Sequence, residues 1–181
     1  MKILLWRGLI NKSWEHCSVD ERDSGFKIAS EIVGNYESNT YMVNYLINTD
    51  NQWNIQDFEI RCDIQGEIKR FYGQKNGLDW LINGQIEPCF AGFNYIDISI
   101  TPLTNTLPIK RLALNVNESK DINVIYIDIL NGSIKPVRER YTKISKDHYR
   151  YENLESTFAS AILIDRNGIV KTYPGHFELV A

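Results

Sequence analysis

Polar side chains that could bind a ligand or transform one concentrate in the stretch 94–114. Asp97, Ser99 and Thr101 alternate there with isoleucines, as they would in a strand that presents its polar side chains on one face. One carboxyl group and two hydroxyl groups on the same face could hydrogen-bond a ligand inside a curled sheet. The same alternation would result if this face simply met water, and the spacing favours neither interpretation.

The segment that follows is unusual because prolines enclose it. Pro102 ends the strand, since it has no N–H to donate, and Pro108 keeps regular pairing from resuming at once. Between them lies a Thr-Asn-Thr run at 104–106, whose short side chains can bond nearby backbone groups. Lys110 and Arg111 come directly afterwards. The sequence therefore predicts an irregular polar loop followed by two cations.

Alternating tyrosine and arginine residues form a second candidate group, in Arg140-Tyr141-Thr142 and Tyr149-Arg150-Tyr151-Glu152. In a strand, Tyr149 and Tyr151 share one face and Arg150 points to the other. Such a site could stack rings on a sugar while arginine holds a phosphate or carboxylate. A surface ladder of aromatic and charged side chains explains the same spacing, and the spacing alone favours the ladder.

Other motifs that carry chemistry are scarce. The chain contains no G-x-S-x-G elbow, no glycine-rich phosphate loop and no H-E-x-x-H helix, and its three histidines lie far apart. Cys17, Cys62 and Cys89 are odd in number and lack a C-x-x-C pattern, which argues against a disulfide framework or a structural zinc site. We therefore expect no metal and no cofactor, and a reducing compartment.

Composition narrows the class of protein further. The length of 181 residues fits one domain over 1–181, and 43% apolar with 24% charged residues indicates a globular chain. A net charge of −3 argues against a general nucleic-acid binder, whose surface would be basic. No window approaches the ~20 apolar residues of a transmembrane helix. Arg7 interrupts the N-terminal apolar run before it could serve as an export signal, so we expect a cytoplasmic location.

The elements that must position these residues are predicted to be β-strands along most of the chain. Residues 121–130 are apolar on both faces, which predicts a strand covered on both sides. Residues 153–164 also fit a helical spacing, but the Arg166-Asn167-Gly168 turn that follows favours a strand. The predicted strands are 26–36, 41–47, 53–62, 94–101, 121–130, 137–144, 148–152, 158–165, 169–173 and 177–180, with short segments near 71–72 and 78–82.

Turn signals recur along the whole chain, with Asn-Gly pairs at 76–77, 83–84 and 131–132, and no strongly capped helix is evident. This pattern predicts an all-β fold with little helix. So many strands must close or curl to hide their edges. We therefore expect a single curled antiparallel sheet that forms a barrel-like roll around an interior cavity.

The stretch Asp97–Leu112 resembles the hallmark of the bacterial putative glycolipid-binding family, D-x-S-x-T-P-x-T-N-T-L-P-I-[KR]-R-L. A departure is Leu103, where the family commonly has an aromatic residue. The resemblance implies a spiral β-roll with a distant likeness to bacterial lipoprotein carriers, and glycolipid binding. It extends over nearly the whole chain, through Trp6-Arg7-Gly8, Val43-Asn44-Tyr45 with Trp53, Arg140-Tyr141-Thr142, Tyr149-Arg150-Tyr151-Glu152 and Tyr173-Pro174-Gly175 with Phe177.

Together these observations lead to the hypothesis that the chain binds a lipid-like or glycolipid amphiphile without catalysis. The acyl part would lie inside the roll, where each buried CH₂ contributes ~0.8 kcal/mol, and the head group would meet polar side chains at the mouth. The candidate ligand-binding residues are Asp97, Ser99, Thr101, Thr104, Asn105, Arg111, Arg140, Tyr141, Tyr149, Arg150 and Tyr151.

Two alternatives stay open at the level of sequence. The first is a small-molecule enzyme in which Asp97 works with arginine and tyrosine partners and His16 or His176 supplies a base. The second is a purely structural polar network without a ligand, formed by Lys110, Arg111, Arg140 and Arg150. The oligomeric state does not follow from the sequence.

Overall fold

The computed structural model describes residues 1–181 and contains one sheet of fifteen strands. With 61% strand and 7% helix, it confirms the all-β prediction. The strands are β1 (Lys2–Gly8), β2 (Ser13–Arg22), β3 (Gly25–Tyr36), β4 (Asn39–Thr49), β5 (Ile55–Ile64), β6 (Glu67–Asn76), β7 (Asp79–Ile82), β8 (Gln85–Ile86), β9 (Tyr95–Ile98), β10 (Ser119–Asp128), β11 (Ser133–Lys143), β12 (His148–Asn153), β13 (Ala159–Ile164), β14 (Val170–Tyr173) and β15 (Phe177–Leu179).

The strands pair in the order β8-β7-β6-β5-β4-β3-β2-β1-β15-β14-β13-β12-β11-β10-β9, and the sheet is not closed. All neighbours run antiparallel except β9 and β10, which are parallel. Glycines with positive φ occupy the three predicted Asn-Gly turns, at Gly77, Gly84 and Gly132. Strand β13 confirms a strand rather than a helix over 159–164, while residues 154–158 form a turn. Strands β1 and β2 were not predicted.

Rolling of the sheet creates two hydrophobic cores that share strand β10. Val124 on one face of β10 packs in a smaller core of 13 buried residues, which lies mainly among β10–β15. Ile125 and Ile127 pack in a larger core of 27 buried residues, which lies mainly among β1–β7. The strand is therefore covered on both sides, as its apolar pattern predicted. Because one end of the sheet is wrapped by the rest, the architecture is a spiral.

The segment between the prolines is helical, and the prediction of an irregular loop was wrong. A 3₁₀ turn at Leu103–Asn105 leads into helix α1, Thr106–Leu112. Pro108 is the third helical residue, where the missing N–H has no intrahelical acceptor to lose. Ala113, with φ +46°, ends the helix in the left-handed region.

We call residues 102–112 the central segment, because it lies between the two cores. Leu103 and Leu107 belong to the larger core, while Ile109 belongs to the smaller one. Together with Ile96 and Ile98 of β9, the two leucines fill the inside of the larger half. The apolar hollow expected along the roll is therefore occupied there by the chain itself. A smaller cavity lies in the other half.

Candidate functional site

Short polar side chains fasten the central segment to its surroundings. The Thr101 hydroxyl accepts the Leu103 N–H at 3.1 Å. The Thr104 hydroxyl accepts the Ile98 N–H at 3.3 Å and donates to Asp97 Oδ1 at 2.8 Å. Thr104 is 1% exposed, so these bonds satisfy groups that water does not reach. The polar run between the prolines thus anchors a buried segment.

A cavity of about 320 Å³ opens beside this segment in the smaller half of the roll. It combines polar groups from β9 and the central segment with aromatic rings from β10, β12, β14 and β15. The polar lining residues are Asp97, Ser99, Thr101, Asn105, Asn153 and Ser156, and the others are Ile98, Tyr126, Tyr151, Phe158, Tyr173, His176 and Phe177.

Two neighbouring carboxyl groups lie at the cavity, with Asp97 in its lining and Glu139 behind it. Asp97 is partly buried, and its carboxyl group lies next to that of Glu139, which is 1% exposed. The Tyr151 hydroxyl donates to Glu139 Oε1 at 3.0 Å. Burial raises the pKa of both acids, and the Asp97 charge raises the pKa of Glu139 further. The two acids therefore favour sharing a proton over both being ionised, and of the two it is Asp97 that lines the cavity.

Aromatic side chains form much of the cavity wall. The rings of Tyr151 and Tyr173 meet edge-on at 6.1 Å between centroids, and Phe158 meets His176 at 5.2 Å. Burial lowers the pKa of His176, so its imidazole is neutral at pH 7. An aromatic wall beside a carboxylate suits a molecule that carries hydroxyl groups on an otherwise weakly polar frame.

A second buried acid lies directly behind the cavity. Glu15 Oε1 accepts hydrogen bonds from Tyr45 at 2.6 Å, Ser30 at 2.8 Å and Thr101 at 2.9 Å. Its Oε2 atom has no partner. Burial raises the pKa of Glu15 to about 7. Since Thr101 lines the cavity, its hydroxyl connects the cavity wall to this acid.

Sequence analysis missed both Glu15 and Glu139. Each occupies an inward position of an alternating strand, Glu15 between Ser13 and Cys17 and Glu139 between Val137 and Tyr141. An acid at an inward position was the available signal. For Glu15 this signal depends on recognising 13–22 as a strand, which the sequence did not predict, and for Glu139 it is obscured by the arginine and tyrosine residues around it in β11.

The structure brings together five of the eleven candidate ligand-binding residues around the cavity. Two more stand behind it, since Thr104 bonds Asp97 and the Tyr141 hydroxyl donates to Asn105 Oδ1 at 2.7 Å. The five that line the cavity are Asp97, Ser99, Thr101, Asn105 and Tyr151.

The three candidate arginines and Tyr149 lie elsewhere. Arg140 pairs with Asp121 at 2.6 Å on the outer face, and Arg150 pairs with Glu152 at 3.1 Å. Arg111 donates to the Tyr95 hydroxyl at 2.7 Å. The remaining residue, Tyr149, faces a different groove. Alternation along β12 directs its tyrosine rings inward and Arg150 outward, so rings and guanidinium groups are separated.

The structure shows no cluster of three or more side chains arranged to hold a metal ion. The three cysteines are free, with Cys17 and Cys62 buried and Cys89 exposed. No helix is both long and apolar enough to cross a membrane.

Fold and site together define a class of protein: a spirally rolled β-sheet with a polar and aromatic cavity in one half. The chain belongs to the family described as "Putative glycolipid-binding", which matches residues 3–178. The resemblance carried by Asp97–Leu112 is therefore confirmed. A comparison with curated protein sequences gives no match.

Two solved structures share the fold. A DUF1089 family protein from Pseudomonas aeruginosa is 30% identical with a TM-score of 0.82, and the alignment covers 92% of this chain and 91% of that one. A β-barrel-like protein of the domain of unknown function DUF1849 from Brucella abortus has a TM-score of 0.56 over 98% and 94% of the two chains. At 10% identity, the second likeness shows the fold alone.

Proposed function

We propose that this protein binds the head group of a glycolipid, or of a similar hydroxyl-rich amphiphile, in the cavity of the smaller half without converting it chemically. The observation that carries the proposal is the Asp97 carboxylate beside the rings of Tyr151 and Tyr173 in one cavity. The family description points in the same direction.

The lining supplies the contacts that a sugar head group requires. Sugar hydroxyl groups can donate to the Asp97 carboxylate, and such charge-assisted hydrogen bonds are stronger than neutral ones. Ser99 and Asn105 add groups that both donate and accept. The C–H faces of a sugar ring can pack on Tyr151 and Tyr173. Specificity would then come from these polar groups, placed beside an aromatic wall.

The volume decides which part of an amphiphile fits. About 320 Å³ stands at the small end of the range of ligand pockets, ~300–1,000 Å³. It suits a head group better than a head group together with its acyl chains. The apolar inside of the larger half offers no alternative, because Leu103, Leu107 and β9 fill it. The acyl chains therefore extend past the mouth, where Phe158 is 38% exposed.

Calorimetric titration with a panel of octyl glycosides, each below its micelle concentration, tests this proposal. We expect at least one glycoside to bind and Asp97→Asn to weaken that binding about tenfold, because a charged acceptor becomes a neutral amide. Asp79→Asn is the matched control, since Asp79 is exposed and lies outside the cavity. The proposal fails if no glycoside binds or if both variants bind as the parent protein does.

An enzyme is the second candidate, because the cavity brings His176 and Asp97 together from distant parts of the chain. Glycoside hydrolysis requires two carboxyl groups that flank the scissile bond ~5–9.5 Å apart, but of Asp97 and Glu139 only Asp97 lines the cavity. Incubation with octyl glycosides, followed by assay for released octanol, distinguishes the candidates. Release that disappears in both Asp97→Asn and His176→Ala would replace the binding proposal with an enzymatic one.

A further inference from the structure

A second concave surface, independent of the proposed function, lies toward the other ends of the strands that line the cavity. Tyr151 of β12 and Phe177 of β15 line the cavity, whereas Tyr149 and Leu179 on the same strands line this surface. Its volume is about 970 Å³. We call it the basic groove, and it lies between the start of β1, the end of α1, and the β11–β12 and β13–β14 turns.

Positive charge is concentrated in this groove against the trend of the molecule, whose net charge is −3. The opposing side-chain anions within it are Asp147 and Asp165, and counting a carboxylate at Ala181 as well still leaves an excess of three positive charges at pH 7. Such local excess in a concave site attracts anions. The six cationic lining residues are Lys2, Lys110, Lys143, Lys146, Arg166 and Lys171.

Most of these cations have no carboxylate partner within the protein. Lys2 Nζ is 2.6 Å from Asp165 Oδ2, and Asp147 lies 2.8 Å from His148 Nδ1. Lys143 donates to the Leu114 carbonyl at 2.9 Å, which leaves its charge without a counter-ion. None of the other four cationic side chains forms an ion pair in the structure.

Lys110 is a partly dehydrated member of this set. Burial lowers the pKa of its ammonium group, Asp165 acts in the opposite direction, and the charge of Lys2 lowers the pKa slightly more. Its ammonium group lies 5.1 Å from the centroid of the Trp53 ring. A partly desolvated cation without a paired anion is unfavourable, and a bound anion would relieve this cost.

Apolar side chains line the groove next to the cations. Leu4 and Ile109 are buried, and Ile164 and Leu179 are partly buried. An inorganic anion would use the charges alone, whereas an anion attached to an aliphatic chain would use both sets of side chains. A phosphate monoester carries about −1.5 to −2 at pH 7, which matches the excess positive charge better than a single carboxylate does. Lysine commonly binds phosphate as a point charge.

From this arrangement we infer that the basic groove is a binding site for an alkyl phosphate, with the phosphate among the lysines and the aliphatic chain against Ile109, Ile164 and Leu179. The site is separate from the head-group cavity. Its existence does not depend on glycolipid binding there.

Calorimetric titration with octyl phosphate below its micelle concentration tests the inference, with inorganic phosphate and octyl glucoside as comparison ligands. We expect octyl phosphate to bind more tightly than inorganic phosphate and to weaken as salt is raised. The variant Lys146→Ala/Lys171→Ala should weaken this binding about tenfold. Both lysines are exposed, so neither substitution threatens the fold.

The matched control is Lys120→Ala/Lys135→Ala, which removes two exposed lysines outside the groove and changes the net charge equally. Octyl phosphate should bind this control as it binds the parent protein, and amide signals of Ala113 and Gly168 should shift in NMR spectra while that of Ser99 does not. Equal loss in both double variants would overturn the inference, because the effect would then be one of net charge. If inorganic phosphate binds as tightly as octyl phosphate, the proposed contact between the aliphatic chain and the apolar side chains is wrong.

Octyl glucoside separates this inference from the proposed function. If it binds in the cavity, its affinity should be the same in Lys146→Ala/Lys171→Ala as in the parent protein and reduced in Asp97→Asn. Failure of octyl phosphate to bind would overturn the inference and leave the cavity untouched. If no octyl glycoside binds while octyl phosphate does, the proposed function is overturned and the inference about the basic groove stands.

Discussion

Among individual residues, Glu15 has the strongest conflict between its chemistry and its surroundings. The side chain is 3% exposed, and three hydroxyl groups donate to one of its oxygen atoms while the other has none. Without a cation nearby, burial dominates and raises its pKa to about 7. The carboxyl group is therefore largely protonated at mildly acidic pH and about half ionised at neutral pH.

Glu15→Gln should flatten the dependence of stability on pH. In the parent protein the pKa rises from 4.5 in the unfolded chain to about 7 in the folded one, so the folded state retains a proton that the unfolded state has lost. The free energy of unfolding therefore falls between these pH values, by about 3 kcal/mol in all, and levels off above pH 7. Urea unfolding across this range measures the slope.

Glu59→Gln is a suitable control, because Glu59 is an exposed acid on β5. The raised pKa values of Asp97 and Glu139 also make the free energy of unfolding fall as pH rises. The difference in slope between Glu15→Gln and the parent protein therefore isolates the contribution of Glu15. Identical slopes in Glu15→Gln and the parent protein would show that Glu15 does not titrate in this range.

At the scale of elements, the central segment has two roles. Its Thr104 hydroxyl donates to Asp97 and holds that side chain at the cavity, while its Asn105 is held there by the Tyr141 hydroxyl of β11. Its leucines fill the larger core. Because the central segment is buried on several sides, its side chains should contribute to stability, which those of a mobile lid would not. Substitution of a buried leucine in the segment measures this contribution.

Leu107→Ala should destabilise the protein by about 2–5 kcal/mol, as expected for truncation of a fully buried leucine that leaves a cavity. Leu78→Ala, at a side chain that is 74% exposed, should change the free energy of unfolding by no more than about 0.5 kcal/mol. Urea unfolding measures both variants. A loss below about 1 kcal/mol for Leu107→Ala would indicate that the central segment is loosely held.

Across the whole molecule, the strands of the sheet differ greatly in how well they are protected from solvent. Strand β10 is covered on both faces and paired on both sides, whereas β8 has two exposed residues and forms an outer edge. Opening that exposes β10 must disrupt both cores, while β8 can separate alone.

Amide hydrogen exchange should therefore be slowest in β10 and fast in β8. Among the amides, we expect those of Val124 and Ile125 to exchange only through global unfolding and those of Gln85 and Ile86 to exchange through local opening. Exchange followed by NMR in native buffer gives these rates. Similar rates at Val124 and Ile86 would contradict a core built on both sides of β10.

Local patterns in the sequence determined most of the strands, the turns and the family. Alternation with period two and Asn-Gly turns depend on neighbouring residues only, so β3, β4, β10 and the hairpins followed from them. The motif at Asp97–Leu112 identified the family in the same way, because it is a continuous stretch of sequence. It also identified Asp97, Ser99, Thr101 and Asn105 as candidates, because polar residues in an apolar setting are visible without coordinates.

Only the tertiary structure decided which of these groups meet. Glu15 and Thr101 are 86 positions apart, and their contact depends on the roll of the whole sheet rather than on any local spacing. The same roll brings His176 to the cavity, far in sequence from Asp97. The central helix was equally hidden, because Pro108 breaks a helix in most positions and is tolerated only in its first turn.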